Sequence, residues 1–427
     1  MRNDIRLGLC AALAAAGISA HADPVVVTAA KLIDVQNGHV IDHPVVVIDN
    51  ERIIAVGPAA GTAIPAGAQR IDLPGLTLLP GLIDMHVHLT TEATVGGFNY
   101  LLYTDSFWPI VGVKNAKKTL EAGFTSVRNV GSEHFDDVGL RQAIDEHFIE
   151  GPRITTATYA LSATGGHCDE TYFPPSMNQT SPAVGDSPDE LRKKVRWVHK
   201  YGATVIKVCV TGGVFDHGTS AGAQQLNLEE IKAITDEAHM EGLKVAAHAH
   251  GAAGIADALR GGIDTIEHSS LIDDEGIKLA KEKGAYLSMD IYNTDYTQAE
   301  GLKNGELEEN IRKDRELGEA QRENFRKAVK AGVKMIFGSD AGVYPHGDNA
   351  KQFAVMVRYG MTPLQAIQAA TVTAAKALDQ DKNVGQIQAG KLGDIIGVAG
   401  DPLTDVTVLE HVAFVMKGGE VVKNEAK

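Results

Sequence analysis

The sequence is poor in basic residues and has no long apolar run. Its 40 Lys and Arg residues stand against 55 Asp and Glu residues, which gives a formal net charge of −15. Such an acidic surface argues against a nucleic acid as partner. The longest apolar segment, residues 7–18, is shorter than the ~20 residues that a membrane-spanning helix needs. We therefore expect no membrane anchor.

Cysteine is also scarce, with three in 427 residues. Cys10 lies in residues 1–22, where two arginines precede the apolar segment and a small-x-small motif follows it. This order predicts a secretory signal peptide that is cleaved before Asp23. The mature protein is then expected to be periplasmic or secreted, without Cys10.

Cys168 and Cys209 are the cysteines that would remain after cleavage. Two cysteines in an oxidising compartment can form a disulfide. Both also fall near predicted site loops, where free thiols beside a metal agree equally well with the sequence. The sequence leaves their pairing open.

Both ends of the chain carry short β-rich runs. From residue 24 to 79, and again after residue 385, segments rich in Val and Ile alternate with turn formers, and no helical period appears. We expect the two ends to pair into one small β-sandwich domain. Its parts would be residues 23–79 and 385–427, with residues 80–384 between them.

The middle of the chain alternates apolar strand-like runs with helical patterns, which is typical of a parallel α/β sheet. Eight strand candidates predict a (β/α)8 TIM-like barrel, whose chemistry lies at the carboxyl ends of the strands. The predicted strands end near residues 88, 129, 157, 208, 248, 268, 289 and 339. The predicted helices cover residues 114–122, 137–149, 191–201, 229–241, 252–260, 274–282 and 307–331.

Two connections, residues 162–188 and 291–306, are too long and too rich in turn formers to be tight turns. Such segments predict rims or lids that shape a substrate pocket. Candidates for apolar pocket walls within them are Phe173, Pro174, Pro175, Tyr292 and Tyr296. The charge pattern of residues 307–331 indicates a solvent-facing helix rather than a binding site.

His86 and His88 share one face of the first barrel strand, because alternate strand residues point the same way. Two imidazoles on one face can bind one metal ion, although many such pairs only decorate a strand. Later apolar strands supply further candidate ligands, which are Lys207, His248, His268 and Asp340. A lysine inside a buried strand needs a partner or a modification, because an isolated buried charge is costly.

Residues 80–88 resemble the first-strand motif of the metal-dependent amidohydrolase superfamily, and residues 338–342 resemble its last-strand motif. The resemblance extends over nearly the whole chain beyond residue 22. It is nearest to the imidazolonepropionase-like branch. That branch includes zinc dipeptidases of the prolidase and Xaa-Arg types and bacterial enzymes that hydrolyse ochratoxin A.

The resemblance implies a centre with two divalent metal ions, for which Zn²⁺ is favoured. The implied ligands are His86, His88, Lys207, His248, His268 and Asp340. Lys207 would bridge the ions as N6-carboxylysine, and Asp340 would exchange a proton with the attacking water. These two residues argue against a metal-binding module without turnover, since such a module needs neither a bridge nor a base.

Two more histidines have implied roles near the substrate. His167 resembles the family histidine that donates to the scissile carbonyl. His250 would either line the pocket or orient its neighbours. The chain departs from its relatives at Asn129, where they often carry Asp, and at Leu226, where the dipeptidases commonly carry an aromatic residue. The second departure weakens the transfer of dipeptide specificity.

The implied reaction is hydrolysis of an amide next to a carboxylate-bearing amino acid. Substrates would be N-acyl amino acids or dipeptide-like molecules, and ochratoxin A would give ochratoxin alpha and phenylalanine. The alternative is a cyclic amide or lactone hydrolase of the imidazolonepropionase-like type. We expect a small-molecule partner and, as in the relatives, a homo-oligomer.

Overall fold

Residues 23–426, the part of the chain that the computed structural model describes, contain sixteen strands and eleven α-helices. The predicted signal peptide lies outside these residues. None of the described helices is both long and apolar enough to cross a membrane. The strands are β1 (Val25–Asp34), β2 (His39–Asp42), β3 (Pro44–Asp49), β4 (Arg52–Pro58), β5 (Gln69–Pro80), β6 (Leu82–Val87), β7 (Phe124–Asn129), β8 (Arg153–Thr156), β9 (Ile206–Cys209), β10 (Val245–Ala249), β11 (Thr265–His268), β12 (Tyr286–Ser288), β13 (Lys334–Ile336), β14 (Ile395–Ala399), β15 (Val412–Lys417) and β16 (Glu420–Asn424).

The helices lie mainly between the parallel strands of the middle segment. They are α1 (Phe107–Glu121), α2 (Asp136–Asp145), α3 (Pro188–Lys200), α4 (Leu228–Met240), α5 (Ala252–Gly261), α6 (Asp274–Lys283), α7 (Asn293–Glu300), α8 (Glu308–Ala331), α9 (Lys351–Arg358), α10 (Pro363–Ala369) and α11 (Val372–Ala377). Short 3₁₀ turns cover Gly97–Leu102, Pro175–Met177 and Val406–Glu410.

Strands from both ends of the chain form one eight-stranded sheet. Its order is β16-β15-β14-β5-β1-β3-β4, and β2 pairs with β1. Strand β5 joins the two ends, because it pairs parallel with β1 and antiparallel with β14. Alternate residues such as Leu32, Ile48 and Phe414 pack into a core of their own. The expected union of the two ends is confirmed, while the domain boundaries at residues 79 and 385 stay predictions.

Eight parallel strands, β6 to β13, form the predicted barrel. They pair as β6-β7-β8 and as β9 to β13 in chain order. A bridge between Leu161 and Val208 joins the two sheets beside β9, and a bridge between Val87 and Ala341 closes the barrel between β6 and β13. All six residues of β6 are buried. A strand covered on both faces has a continuous apolar run, which is why the pattern was detectable.

Most helix ends agree with the prediction, because local capping signals set them. Asn227 and Glu230, for example, form a capping box at the start of α4. Two predictions were wrong. Helix α1 begins well before residue 114, with Pro109 in its first turn, where a missing N–H costs no helical bond. Helix α2 ends before residue 149, close to the left-handed backbone of His147 (φ 58°).

The segments next to the last barrel strand hold more structure than a connection and a surface helix. Residues 291–306, a predicted rim, contain α7, and its Gln298 amide donates to the Ile311 carbonyl (2.9 Å) and to the Asp314 carboxylate (2.6 Å) of α8. Such non-local contacts are invisible in the local composition. Helix α8 is not wholly solvent-facing either, since Lys313 and Gln321 on its inner face are buried. One face of a charged helix can still point into a site.

Candidate metal centre

His86 and His88 on β6 and Asp340 after β13 form a first group of donor atoms. Nε2 of His86 and Nε2 of His88 lie 3.3 and 3.4 Å from Oδ1 of Asp340. The Asp340 N–H donates to the His86 carbonyl oxygen at 2.8 Å. The backbone contact that closes the barrel therefore also sets the spacing of this group. Its three side chains can offer ligand atoms to one ion.

The protonation state of Asp340 suits a metal ligand. Burial alone would raise its pKa, but His86 and His88 outweigh burial through their charge and hydrogen bonds and hold the pKa well below its usual range. Burial also lowers the pKa of His88. Asp340 is therefore a carboxylate, and the lowered pKa of His88 favours an imidazole with a free nitrogen beside it.

His248, His250 and His268, at the ends of β10 and β11, form the second group. The His268 ring centroid lies 4.5 Å from that of His248 and 4.8 Å from that of His250. Burial and the neighbouring imidazoles hold the pKa of His248 well below its ordinary value, so its ring is neutral. Nε2 of His248 is buried and has no hydrogen-bond partner among residues 23–426. A buried polar nitrogen without a partner is costly unless a ligand takes it.

The ring of His86 connects the two groups, and the charge of Lys207 on β9 acts on histidines of both. The ring centroids of His86 and His268 are 4.9 Å apart, so the histidine rings form one continuous cluster. The Lys207 side chain is buried, and burial lowers its pKa to about 8. A larger fraction of its amine is then unprotonated near neutral pH than for an exposed lysine. Only an unprotonated amine can react with carbon dioxide to form a carbamate.

His268 and Asp340 adopt a left-handed backbone conformation, with φ of 68° and 61°. This conformation costs a residue with a side chain about 1–2 kcal/mol, so surrounding contacts must hold it. Residues in such strained conformations concentrate at functional sites. The contacts around two predicted ligands therefore hold them in a backbone conformation that is uncommon for residues with a side chain.

Glu267 on β11 supports the first group, and the sequence analysis did not single it out. Its Oε2 lies 2.9 Å from Nδ1 of His86, and its Oε1 accepts from the Arg128 guanidinium at 2.6 Å. Burial would raise the pKa of Glu267, but Arg128 and His86 lower it below its usual range. The available signal was a lone acidic residue inside an apolar strand.

Asp290, which follows β12, supports the second group in the same way. Its Oδ1 lies 2.9 Å from Nδ1 of His268 and accepts from the Gln321 amide of α8 at 3.2 Å. A carboxylate at Nδ1 fixes the ring and leaves Nε2 free to bind a metal. Asp290 also ends a barrel strand, a position that could have identified it.

His167 lies above the second group. Its ring stacks on that of His248 with 4.0 Å between centroids, and its Nδ1 lies 3.0 Å from Oδ2 of Asp216. Oδ1 of Asp216 in turn accepts from the buried ammonium of Lys313 at 2.7 Å. The His167 N–H donates to the Gln225 side chain at 2.9 Å. No sequence signal identified Asp216, since it lies in a loop between elements.

Cys168, next to His167, forms a disulfide with Cys209 at the end of β9, with 6.0 Å between their Cα atoms. This answers the question that the sequence left open. His250 is buried, and its Nδ1 lies 2.7 Å from the Ser270 hydroxyl. Its packing on His268 favours the second of its two expected roles, orienting neighbours.

Asn129, where relatives often carry a carboxylate, lies behind the first group. Its side-chain oxygen accepts from the N–H of Leu89, one residue after His88, at 2.7 Å. Its amide nitrogen lies 3.3 Å from Oδ2 of the buried Asp137. Asn129 therefore holds the chain after His88 through its amide rather than through a charge.

These residues fit two divalent metal ions. Each group offers three donor atoms that lie within 4.8 Å of one another. Imidazole and carboxylate are the ligands that zinc and related ions accept in proteins. Nε2 of His248 is unpaired among residues 23–426 and can bind an ion. Carboxylates contact the other ring nitrogens of His86 and His268 and orient these rings, as carboxylates do in many metal sites.

A cavity of about 670 Å³ opens beside His88. Both predicted rim segments contribute to its lining. Its aromatic walls are Phe98, Tyr100, Trp108, Tyr159, Tyr172, Phe215 and Tyr296. Of the eight predicted site residues, all within the described part of the chain, His88 alone lines it.

Most of the predicted apolar walls were wrong. Tyr296 lines the cavity, but Phe173, Pro174, Pro175 and Tyr292 do not. Both prolines are exposed, and the Tyr292 ring packs edge-on against Tyr344 at 4.9 Å. The composition of the loops correctly indicated that they border a cavity. Which of their side chains point into it depends on contacts with other loops.

The sequence model of the amidohydrolase family matches residues 77–422. The chain belongs to the amidohydrolase family. This amidohydrolase is 32% identical to an ochratoxinase of Aspergillus niger over 374 residues, which cover 81% of this chain and 75% of the relative. The expected family membership is thus confirmed, and with it an enzyme that hydrolyses amide bonds.

Two solved structures support the same assignment. A Xaa-Pro dipeptidase with bound methionine in its active site matches the amidohydrolase with a TM-score of 0.87 and 35% identity, over 93% of this chain and 99% of that one. A prolidase complexed with N-methylphosphonate-L-proline gives a TM-score of 0.86 and 31% identity, over 94% and 100%. The barrel with its additional sheet is therefore the family fold.

Proposed function

We propose that this amidohydrolase cleaves an amide bond next to a carboxylate-bearing amino acid, and that ochratoxin A is among its substrates. The observation that carries the proposal is the convergence of two donor groups at the mouth of the barrel, beside an aromatic-walled cavity. The similarity to an ochratoxinase supports a bulky aromatic acyl group. The similarity to dipeptidases supports an amino acid as the leaving group.

The proposed centre holds two divalent ions, with Zn²⁺ favoured. Its ligands are His86, His88 and Asp340 for one ion, His248 and His268 for the other, and carboxylated Lys207 as the bridge. The ions would polarise the scissile carbonyl and make the attacking water more acidic. The lowered pKa of Lys207 supports the carbamate, because it favours the free amine.

Asp340 and His167 would handle the protons and charge of the reaction. Asp340, held as a carboxylate, would accept a proton from the attacking water and pass it to the leaving nitrogen. Asp216 holds Nδ1 of His167, which leaves Nε2 to donate to the carbonyl oxygen as negative charge develops. Oδ2 of Asp340, which accepts from the Asn293 amide at 3.4 Å, is the oxygen that does not face the two histidines of β6.

The cavity walls suggest how a substrate would lie. Among residues 23–426 the lining includes no Lys or Arg, whereas six carboxylates contribute to it. The substrate carboxylate would therefore lie at the histidine end of the cavity. The acyl group would pack against aromatic walls such as Tyr100 and Trp108, where burial of its rings supplies binding.

Product analysis tests the proposal. Metal-loaded enzyme is incubated with ochratoxin A, N-acyl-phenylalanine analogues, dipeptides and cyclic amides, and the products are identified by mass spectrometry. We expect free phenylalanine from ochratoxin A with the wild type and not with Asp340→Asn. Inertness on every N-acyl amino acid together with rapid opening of a cyclic amide would transfer the assignment to the alternative.

We also propose that the enzyme is exported and assembles into a homo-oligomer. The composition of residues 1–22 supports export, and the resemblance to oligomeric relatives supports assembly. Intact-mass measurement of exported protein should give a chain that begins at Asp23, and light scattering should give a multiple of its mass. A retained N-terminal segment or a monomer would contradict the respective statement.

A further inference from the structure

We propose that the disulfide between Cys168 and Cys209 positions His167 above the second histidine group, and that its loss lowers turnover. The inference rests on the proposed role of His167 in the reaction. Cys168 and Cys209 are then positioning residues that act through His167.

The disulfide connects the two elements that matter most for this geometry. Cys168 directly follows His167, and Cys209 is the last residue of β9, two residues after Lys207. Cys209 is fully buried, so it is a fixed anchor. The bond therefore ties the loop with His167 to the strand with Lys207.

The loop needs such a tie because it has little regular structure of its own. Within residues 162–188, the 3₁₀ turn Pro175–Met177 is the one helical element before α3 begins. A long loop without regular structure has many accessible conformations, and a covalent link removes most of them. The link acts one residue away from the imidazole.

The position of the His167 ring has little tolerance. The ring stacks on His248 on one side, and on the other a Cβ added at Gly213 would lie 2.3 Å from its Cε1. The ring thus fills a narrow slot between a backbone and a proposed ligand. A misplacement of about 1 Å in an active site can cost about 10²-fold in rate.

Two hydrogen bonds also hold His167, but they act differently. The Asp216 carboxylate contacts Nδ1, and the Gln225 side chain accepts from the backbone N–H. The first selects the orientation of the ring, and the second holds the loop backbone at His167. The disulfide adds a covalent tie at the next residue, which persists when either hydrogen bond opens.

A double-mutant cycle with Cys168→Ser and His167→Gln tests the inference. We expect Cys168→Ser alone to lower kcat about 10-fold with a smaller change in KM, and to have no further effect in the His167→Gln background. Asp186→Asn is the matched control. It removes the negative charge that contacts Thr164 on the same loop, keeps an oxygen that can accept from the Thr164 N–H, and should leave kcat nearly unchanged.

A second readout needs no substrate. The rate at which diethyl pyrocarbonate modifies His167, measured by peptide mass spectrometry, should rise several-fold in Cys168→Ser and stay unchanged in Asp186→Asn. Equal modification rates in wild type and Cys168→Ser would overturn the inference, as would independent kcat losses in the double-mutant cycle. A wild type inert on all amides would refute the proposed function instead, and the modification rates would still decide the role of the disulfide.

Discussion

The two donor groups of the centre are built alike but differ in charge. The first combines two imidazoles with the carboxylate of Asp340, whereas the second consists of imidazoles alone. An ion in the first group is partly neutralised by its own ligand. An ion in the second group needs negative charge from elsewhere, and carboxylated Lys207 would supply it. The comparison predicts that the proposed bridge matters more to the second group than to the first.

The supporting carboxylates show the reverse asymmetry. Glu267 behind the first group is neutralised by Arg128 at 2.6 Å. Asp290 behind the second group has the amides of Gln321 and Asn293 as hydrogen-bond donors, and neither donor carries a positive charge. The second group has only imidazole ligands, and Asp290 is the carboxylate that contacts one of them.

Asp340→Asn should have the largest effect, because it removes the negative charge of the first group and the proposed base together. We expect kcat to fall about 10³- to 10⁴-fold and the metal content to decrease. Asp348→Asn is the control, since that carboxylate follows the same strand but pairs with Lys351 at 2.8 Å. A near-normal kcat in Asp340→Asn would mean that the carboxylate of the first group is not needed for the reaction.

Lys207→Ala should come next, with at least about a 100-fold loss of activity and preferential loss of the ion in the second group. Metal analysis and kinetics with added bicarbonate and a short carboxylic acid measure this. Partial recovery would support the bridging carbamate. Lys244→Ala is the matched control, because Lys244 precedes β10 at the opposite end of the barrel and pairs with Asp264. Full metal content in Lys207→Ala would refute the bridge.

Asp290→Asn and Glu267→Gln should separate the two supporting carboxylates. We expect Asp290→Asn to weaken metal binding about 10- to 100-fold in competition with a chelator. Glu267→Gln should instead lower the unfolding free energy by about 3–5 kcal/mol, because it leaves the buried guanidinium of Arg128 without a negatively charged partner. Chemical denaturation of the metal-free proteins measures the second effect. If the two variants lost metal affinity and unfolding free energy to the same extent, the two carboxylates would support their groups in the same way.

Asp137→Asn should have the smallest effect. It should change only how the unfolding free energy depends on pH, because Asp137 lies behind the first group and is not a proposed ligand. Burial raises the pKa of Asp137 from 3.8 to about 6. The folded state therefore binds the proton more tightly than the unfolded state. The contribution of Asp137 to stability is full below pH 3.8 and is lost as the pH rises through 6, by about 3 kcal/mol at most.

Denaturation of wild type and Asp137→Asn across this pH range measures the effect. The asparagine cannot ionise, so the variant should gain stability relative to the wild type as the pH rises. Parallel stability curves for the two proteins would contradict the argument.

Much of the centre could be predicted from the sequence, because its ligands lie at the ends of buried strands. The strand that carries His86 and His88 shows both the apolar run and the alternation, and the later ligands repeat that position. The structure brings these predicted residues together. Their binding of metal remains a prediction.

The residues that the sequence did not reveal act across elements. Asp216 lies in a loop, and Lys313 lies on a helix whose charge pattern indicated a solvent-facing surface. Their pairing depends on how a loop and a distant helix pack together. The same reason explains the wrong pocket walls, such as Phe173, because a loop side chain points wherever neighbouring loops allow.

The closure of the barrel has a consequence for how the protein comes to be active. The first donor group exists only where β6 meets the end of β13, and there the Ser339 hydroxyl contacts the His86 carbonyl across 253 residues of sequence. Contacts of such separation form slowly, because the loop they close is large. A chain still emerging from the ribosome, or one truncated before residue 339, would carry both histidines of β6 without their carboxylate. Binding of an ion by the first group would thus report that the barrel has closed.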